Sequence, residues 1–288
     1  MGERIRVGVA LGRLHPAFHV DATLAAERLG FESVWLPEHL VFPVALSGSP
    51  WPGGAHPPVP PETPVFDAFA YLSYLAGRTS RIRLGTHVYL MALRHPFVAA
   101  RAVQTLDHVS GGRAEVGVGA GWLASEWQAA GLDFATRGRR LDESIAVCKR
   151  LWSEPVVEHH GEFFDFGPVR FEPKPAQRPW PPIHVGGESD AALRRAARVG
   201  EGWIGLDHTA ESVRAPIARL HALRERRETA DGDLCITVGS ARPDRDERAR
   251  LADAGVDRVI VCPWRRSTEA VAALEAYAEA SALAAPAL

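Results

Sequence analysis

Short apolar runs, mostly of β-branched residues, alternate with longer amphipathic segments along the chain. An apolar run of this length predicts a buried strand, whereas apolar residues at spacings of three and four predict a helix with one buried face. Eight strands are predicted at residues 5–11, 33–36, 82–90, 114–118, 183–185, 202–206, 234–240 and 258–263. Helices are predicted at residues 17–29, 66–77, 96–109, 137–152, 189–199, 210–228, 244–254 and 267–282.

Eight strand–helix units in sequence predict an α/β protein built as a closed (β/α)8 TIM barrel. A strand such as residues 259–262 (VIVC) is apolar throughout, as in a parallel sheet covered on both faces. The first strand–helix turn, residues 8–16 (GVALGRLHP), lacks the GxGxxG pattern of an open dinucleotide-binding sheet. The 288 residues suit one barrel domain spanning residues 1–288.

Two long segments interrupt this alternation. Residues 41–64, after the second predicted strand, are rich in proline and glycine. Residues 153–182, before the fifth, carry seven prolines and three clustered phenylalanines. Loops of this length in a barrel are commonly functional. We therefore expect two insertions that cover the barrel, either as lids over a site or as ordered structural cover.

Composition narrows the classes of function. A net charge of −2 argues against a nucleic-acid or anionic-membrane partner. No apolar stretch approaches the roughly 18 residues of a membrane span, and no secretory signal is visible, so a cytoplasmic location is expected. Cys148, Cys235 and Cys262 are too scattered for a metal knuckle and suggest reduced thiols. Histidines such as His159 and His160 lack a third ligand at metal spacing, so no metal site is expected.

Four predicted strands end in small or polar residues, within WLPEH (35–39), LGTHV (84–88), GVGAGW (117–122) and HVGGES (184–189). In a barrel these ends meet at one face, where the chemistry is placed. Gly119, Ala120 and Gly121 let a ligand approach the backbone closely, and Trp122 could wall the resulting pocket. Glycines also close many strand ends for geometric reasons alone.

Glu38 and His39 are the leading candidates for proton transfer. A carboxylate beside an imidazole can move protons near neutral pH. The alternative is a structural hydrogen-bonded pair at the barrel rim. His87 lies in an apolar strand, where a histidine is more often part of the core than a catalyst.

Residues 186–189 form a candidate phosphate cradle. Gly186 and Gly187 expose backbone N–H groups at the start of a helix, whose N-terminus favours anions. Glu188 would repel a phosphate unless its carboxylate points away. The alternative is a tight turn in which Ser189 caps the helix. The arginines at 194, 195 and 198 are expected on a solvated helix face.

At these residues the chain resembles the luciferase-like monooxygenase superfamily, and within it the branch that uses the deazaflavin coenzyme F420. The resemblance covers most of residues 5–206. It rests on WLPEHLVFP, RIRLGTHVYLMALRHPF, TLDHVSGGRAEVGVGAGWLASEWQAAG, RGRRLDESI and PKPAQRPWPPIHVGGES, followed by AALRRAARVGEGW. The short chain and the GVGAGW form favour the F420 branch over FMN-dependent relatives.

The resemblance implies a role for each matching position. The deazaflavin would lie across the barrel mouth, and a non-prolyl cis peptide at His87–Val88 would back its ring. Glu38 and His39 match the family's acidic residue and histidine, and Glu38 would orient His39 or contact the ring. The implied cofactor contacts are Thr86, His87, Val88, Gly119, Ala120, Gly121, Trp122, Gly186, Gly187, Glu188 and Ser189.

The resemblance also implies hydride transfer between F420 and a small organic substrate, with His39 as proton donor or acceptor. Trp51, Trp122 and Trp127 are candidate pocket walls. Trp122 replaces the catalytic glutamate of F420-dependent glucose-6-phosphate dehydrogenases, so sugar-phosphate chemistry is not expected. A homodimer is expected. An FMN monooxygenase using reduced flavin and oxygen, and a non-catalytic flavin- or deazaflavin-binding barrel, remain alternatives.

Overall fold

Parallel strands alternate with outer helices in a computed structural model that describes residues 5–51, 54, 59–225 and 233–283. The strands are β1 (Arg6–Ala10), β2 (Ser33–Leu36), β3 (Arg83–Thr86), β4 (Ala114–Val118), β5 (Val157–His160), β6 (Asp165–Val169), β7 (Ile183–Gly186), β8 (Gly202–Asp207), β9 (Cys235–Gly239) and β10 (Arg258–Val261). The helices are α1 (His19–Arg28), α2 (Ala68–Ala76), α3 (Pro96–Val109), α4 (Ala124–Ala129), α5 (Arg137–Ser153), α6 (Asp190–Val199), α7 (Arg214–Glu225), α8 (Arg245–Asp253) and α9 (Ala270–Ala280).

The predicted (β/α)8 barrel is confirmed. The strands close in the order β1-β10-β9-β8-β7-β4-β3-β2, and every pair in this ring is parallel. Trp35 is fully buried inside the ring. Gly8 and Gly85 make room for it, because a Cβ at either position would lie within 2.7 Å of its side chain. The Trp35 side chain therefore packs against glycines of the neighbouring strands, and it shares its buried cluster with Ile204 and Ile260.

The prediction for residues 82–90 was wrong in length. Strand β3 ends at Thr86, the peptide bond between His87 and Val88 is cis, and a 3-10 turn follows at Met91–Leu93. The apolar sequence continues past the strand because these residues stay buried under the barrel rim.

Three further elements differ from the sequence prediction. Residues 153–182 are not a plain loop, since β5 and β6 form an antiparallel hairpin there. The short helix α4 follows the GVGAGW segment and was not predicted. Helix α7 begins at Arg214 rather than at residue 210, and residues 226–228 of the predicted helix lie outside the described part of the chain.

A network of buried charges lies at the amino-terminal ends of the barrel strands. Glu115 accepts hydrogen bonds from Arg83 Nε and, at 2.5 Å, from His184 Nε2. Arg258 lies 3.6 Å from the same carboxylate and also binds Glu32 at 2.7 Å. Each buried charge thus faces an opposite charge, as burial in a low dielectric requires. Within the described residues, no helix is long and apolar enough to span a membrane.

Candidate functional site

A cleft of about 1610 Å³ opens at the carboxyl-terminal ends of the barrel strands. It is larger than most small-molecule pockets, which measure roughly 300–1,000 Å³. The segment after β2 contributes Trp51 and Phe66 to its wall, and the starts of α5 and α6 contribute Arg137 and Ala191. Of the residues predicted from the sequence, the cleft is lined by Glu38, His39, His87, Val88, Gly119, Ala120, Gly121, Trp122, Gly186, Gly187, Glu188 and Ser189.

Thr86 and Trp127 lie behind the cleft wall instead of on it. Thr86 is fully buried, and its hydroxyl donates to the carbonyl of Gly117 at 2.8 Å. Trp127 is also fully buried, and a Cβ at Gly121 would lie 2.9 Å from its Nε1. The expectation that Trp127 walls the pocket is therefore wrong: it supports the Gly121 turn from below.

His39 is oriented by a carboxylate that the sequence analysis missed. Its Nδ1 donates to Glu126 Oε2 at 2.9 Å, and Glu126 Oε1 accepts the backbone N–H of Leu40 at 2.6 Å. Glu126 lies on α4 and is fully buried. The imidazole also packs against Phe42 and edge-on against Trp122. With Nδ1 bound to Glu126, Nε2 is the nitrogen left to act on a ligand.

Glu38 does not form the hydrogen bond to His39 that the adjacent positions suggested. Its carboxylate is buried and accepts hydrogen bonds from Arg94 Nη2 and, at 2.8 Å, from the backbone N–H of Leu90. Burial raises the pKa of Glu38, although the charge of Arg94 opposes this shift. Neighbouring residues in an extended segment point to opposite sides, so Glu38 and His39 find different partners. Glu38 ties the end of β2 to the segment that follows the cis peptide.

The cis peptide at His87–Val88, implied by the resemblance, is confirmed. The Val88 side chain lies between two glycines: a Cβ at Gly119 would be 2.5 Å from Val88 Cγ2, and a Cβ at Gly186 would be 2.8 Å from Cγ1. Three separate segments therefore meet at this point on the cleft floor, and only glycine fits at two of them.

His87 lines the cleft as a neutral ring. Burial lowers its pKa from 6.5 to about 4, with a smaller opposing effect of Asp207. Between these values the unfolded chain binds a proton that the folded chain does not, so the free energy of unfolding falls as the pH falls. We expect this effect of His87 to lower the free energy of unfolding by at most about 2 kcal/mol between pH 6.5 and pH 5.

Urea unfolding of the wild type and of His87→Gln at several pH values measures this contribution. The variant should lose less stability than the wild type over that pH range. Equal losses in both proteins would show that His87 is protonated as easily in the folded state as in the unfolded chain.

The turn at residues 186–189 has features of both structures predicted from the sequence, the phosphate cradle and the turn that caps a helix. Ser189 caps α6 by accepting the N–H of Ala192 at 3.2 Å, as the structural alternative proposed. Glu188 is held by the N–H of Leu206 at 2.6 Å and lies 3.1 Å from His208 Nε2. Its carboxylate is thus already bound by protein groups, while the first turn of α6 still faces the cleft.

The expectation of a solvated arginine face on α6 was wrong for one of its three residues. Arg195 is only 8% exposed, and its Nε donates to Asp142 at 2.6 Å. Arg194 and Arg198 are exposed and form ion pairs with Asp190 and Asp142. The Arg195–Asp142 pair joins α6 to α5 at the edge of the cleft.

No group of three potential metal ligands was found among the described residues. The paired histidines of β5 bind carboxylates individually: His159 pairs with Glu143 at 3.0 Å and His160 with Asp165 at 2.6 Å. His19 Nε2 donates to the carbonyl of Leu14 at 2.9 Å. Each of these three histidines is therefore bound by a protein oxygen.

Glu126 could have been found from the sequence only by its unusual setting. It is an acid in GWLASEWQAAG, between Ser125 and Trp127 in a mostly apolar segment. An acid in such a setting needs a buried partner. That the partner is His39, 87 positions earlier, follows only from the barrel bringing the ends of β2 and β4 together.

The comparisons with known proteins agree with this architecture. A family model described as luciferase-like monooxygenase matches residues 3–285. An uncharacterised protein of Mycobacterium tuberculosis is 33% identical over 260 residues, covering 89% of this chain and 91% of the relative. An F420-dependent glucose-6-phosphate dehydrogenase of Kineococcus radiotolerans is 32% identical over 252 residues, covering 82% of this chain and 67% of that enzyme.

Two further similarities span different parts of the chain. An FMNH2-dependent dimethylsulfone monooxygenase of Pseudomonas putida is 35% identical over 130 residues, which is 44% of this chain and 36% of that enzyme. An F420-dependent secondary alcohol dehydrogenase, solved with an F420–acetone adduct, superposes with a TM-score of 0.78. The superposition covers 97% of this chain and 99% of the dehydrogenase chain. At 16% sequence identity, this similarity shows that the two proteins share a fold.

Proposed function

Because this chain belongs to the luciferase-like monooxygenase family, whose members are oxidoreductases and monooxygenases, we propose that it is an F420-dependent oxidoreductase acting on a small organic substrate. The observation that carries the proposal is the hydrogen-bonded pair of His39 and Glu126 at the mouth of the large cleft. The preference for F420 over FMN is supported by the relative from Kineococcus, which is similar over 82% of the chain. The FMNH2-dependent relative is similar over only 44%.

The residues present fit a long cofactor with a flat ring and an anionic tail. The cleft volume of about 1610 Å³ leaves room for a second molecule beside the ring. The floor around Val88 is flattened by Gly119 and Gly186, where any Cβ would collide with the valine. The N-terminus of α6 supplies N–H groups for a phosphate. Thus the floor would hold the ring, and the turn at residues 186–189 would hold the tail.

When bound, F420 supplies a two-electron carrier that accepts or donates a hydride. The chain must then move the accompanying proton. The carboxylate of Glu126 accepts the Nδ1–H of His39, which leaves the Nε2 lone pair as a base, or Nε2–H as an acid once the ring is protonated. Phe42 and Trp122 pack against the imidazole and limit the access of water.

Glu38 acts in this proposal as a positioning residue. Its bond to the N–H of Leu90 fixes the segment that carries Val88, and its ion pair with Arg94 holds the carboxylate in place. His87 is neutral at physiological pH and would offer a polar but uncharged edge to the cofactor. The part of the cleft wall that contains Trp51 and Phe66 is apolar and suits an apolar or mixed substrate.

We further propose a cytoplasmic homodimer. Helices α2 and α3, which pack against each other, expose the apolar side chains of Tyr74, Val98 and Val109. Exposed apolar side chains on adjacent helices are typical of an interaction surface. Light scattering of the purified protein measures its oligomeric state. We expect a molar mass twice that of the 31.3 kDa chain, and the mass of a single chain would refute the dimer.

Replacing Gly186 with alanine should weaken F420 binding roughly tenfold, because the new Cβ pushes Val88 out of the floor. The measurement is the dissociation constant by fluorescence titration. Gly167→Ala is the matched control, since a Cβ there meets nothing within 4 Å and the hairpin lies outside the cleft. Equal affinities in the two variants would contradict the assignment of the floor.

An anaerobic activity screen tests the proposed reaction. The protein is mixed with oxidised F420 and a panel of small alcohols, or with reduced F420 and ketones or activated alkenes, and the absorbance of F420 is followed. Turnover with at least one substrate, lost in His39→Gln, supports the proposal. In a separate aerobic assay, substrate-dependent oxygen consumption with FMNH2 above the protein-free rate, together with no change of F420 in the anaerobic screen, would favour the FMN monooxygenase suggested by the relative from Pseudomonas.

A further inference from the structure

The three cysteines lie in chemically different environments. Cys148 and Cys262 are buried, and burial raises the pKa of both thiols. Cys235 is half-buried. Burial acts in the same direction on Cys235, but the interaction with His184 and the charges of Arg258 and Arg6 outweigh it and lower the pKa of this thiol.

The register of the barrel places His184 beside this thiol. His184 of β7 pairs with Gly202 of β8, and Gly202 pairs with Cys235 of β9. In-register residues of parallel strands point to the same face of the sheet. Gly202 has no side chain, and a Cβ on it would lie 2.1 Å from His184 Nδ1. The imidazole therefore leans across Gly202 towards the cysteine.

His184 is also arranged as an acid partner for a thiolate. It is 2% exposed, and its Nε2 donates to Glu115 at 2.5 Å. Burial lowers its pKa, but the charge of Glu115 prevails and raises it to about 9. The other ring nitrogen, Nδ1, is buried and has no hydrogen-bond partner among the described residues. Its N–H therefore remains available to a ligand that reaches the sulfur.

Two guanidinium groups also lie beside the sulfur. Arg6 Nη2 lies 3.1 Å and Arg258 Nη1 3.7 Å from Cys235 Sγ. On the same strand, the hydroxyl of Thr237 lies 3.8 Å from the sulfur. Among the residues that the structure describes, the charged groups that face or adjoin the sulfur from the surrounding strands are Arg6, Glu32, Glu115, His184, Asp257 and Arg258.

We propose that Cys235 is a nucleophilic thiolate at the amino-terminal end of the barrel, activated by His184 and Arg6, and that it is a site of oxidation by hydroperoxides. The sulfur attacks one oxygen of hydrogen peroxide, so that an S–O bond forms and the O–O bond breaks. The departing hydroxide takes a proton from the His184 imidazolium and leaves as water. Sulfur loses two electrons to the peroxide, and the product is the sulfenic acid of Cys235, which keeps the hydroxyl of the attacked oxygen.

This site is separate from the cleft and independent of the proposed function. Cys235 begins β9, whereas the cleft is lined by residues after the other end of that strand, Gly239 and Ser240. A network of paired charges at this end of a barrel serves stability in general. A half-buried cysteine beside a free imidazole N–H is not needed for that purpose, because Glu115 already has three cationic partners.

The test is the alkylation rate of each cysteine in the intact, reduced protein, measured with iodoacetamide by peptide mass spectrometry. At pH 7 Cys235 should react about tenfold or more faster than Cys262 and than free glutathione. After brief exposure to hydrogen peroxide, the sulfenic-acid probe dimedone should label Cys235 selectively. Reaction at the rate of glutathione, or equal labelling of the three cysteines, would overturn the proposal.

Arg6 offers a variant that spares the buried network, since its side chain is 44% exposed. Arg6→Gln should slow alkylation of Cys235 several-fold and move the midpoint of its pH–rate profile upward, while Arg6→Lys should retain most of the rate. Arg28→Gln, which removes an exposed ion pair with Glu275, is the matched control. It should change neither the alkylation rate of Cys235 nor the midpoint of its pH–rate profile. An unchanged profile in Arg6→Gln would refute the activating role of Arg6.

Discussion

Replacing His39 with glutamine is expected to lower the turnover number roughly 100- to 10,000-fold while leaving the dissociation constant of F420 nearly unchanged. Glutamine keeps the polarity and much of the volume of the side chain but cannot exchange a proton at Nε2. The effect should therefore fall on the chemical step and not on binding. Glu126→Gln should lower turnover less, because the imidazole remains but loses the carboxylate that fixes its tautomer.

His160→Gln is the matched control for this experiment. His160 also pairs with a carboxylate, Asp165, but the pair is exposed on the β5–β6 hairpin away from the cleft. Its turnover should equal that of the wild type. If His39→Gln kept more than about half of the wild-type turnover number, His39 would not be the proton donor or acceptor.

Replacing Glu38 with alanine is expected to lower the free energy of unfolding by about 3–5 kcal/mol. The substitution leaves the guanidinium of Arg94 without its carboxylate and the N–H of Leu90 without its acceptor, both beneath the barrel rim. In a chain of this size such a loss lowers the melting temperature by roughly 5–10 °C. Urea unfolding monitored by tryptophan fluorescence measures it.

Glu162→Ala tests the same chemistry at the surface. Glu162 pairs with Arg139 at 3.0 Å, and both side chains are more than half exposed. Loss of this exposed ion pair should lower the free energy of unfolding by less than about 1 kcal/mol. A similarly small loss of stability in Glu38→Ala would contradict the positioning role of Glu38.

The fold could be predicted closely because barrel strands and helices each leave a strong periodic pattern. The bounds of β2, β4 and α3 coincide with those predicted from the sequence. Strand β3 was predicted too long, since buried residues after a strand are as apolar as the strand itself. The β5–β6 hairpin was missed because its residues are mostly exposed and show no alternation of apolar and polar positions.

The candidate site could be predicted as a set of strand ends but not as a set of contacts. The barrel topology alone places His39, Trp122 and Gly186 at one mouth. Adjacency in sequence suggested Glu38 as the partner of His39, whereas the partner is Glu126 on α4. Long-range pairing of this kind depends on side-chain direction at the end of each strand, which composition and spacing do not encode.

The most direct test of the central claim is a fluorescence titration of the purified apo protein with F420 and with FMN in the same buffer and at the same salt concentration. We expect micromolar or tighter binding of F420 and much weaker binding of FMN. Binding of FMN in preference to F420 would contradict the proposed F420 dependence and assign the cleft to a flavin.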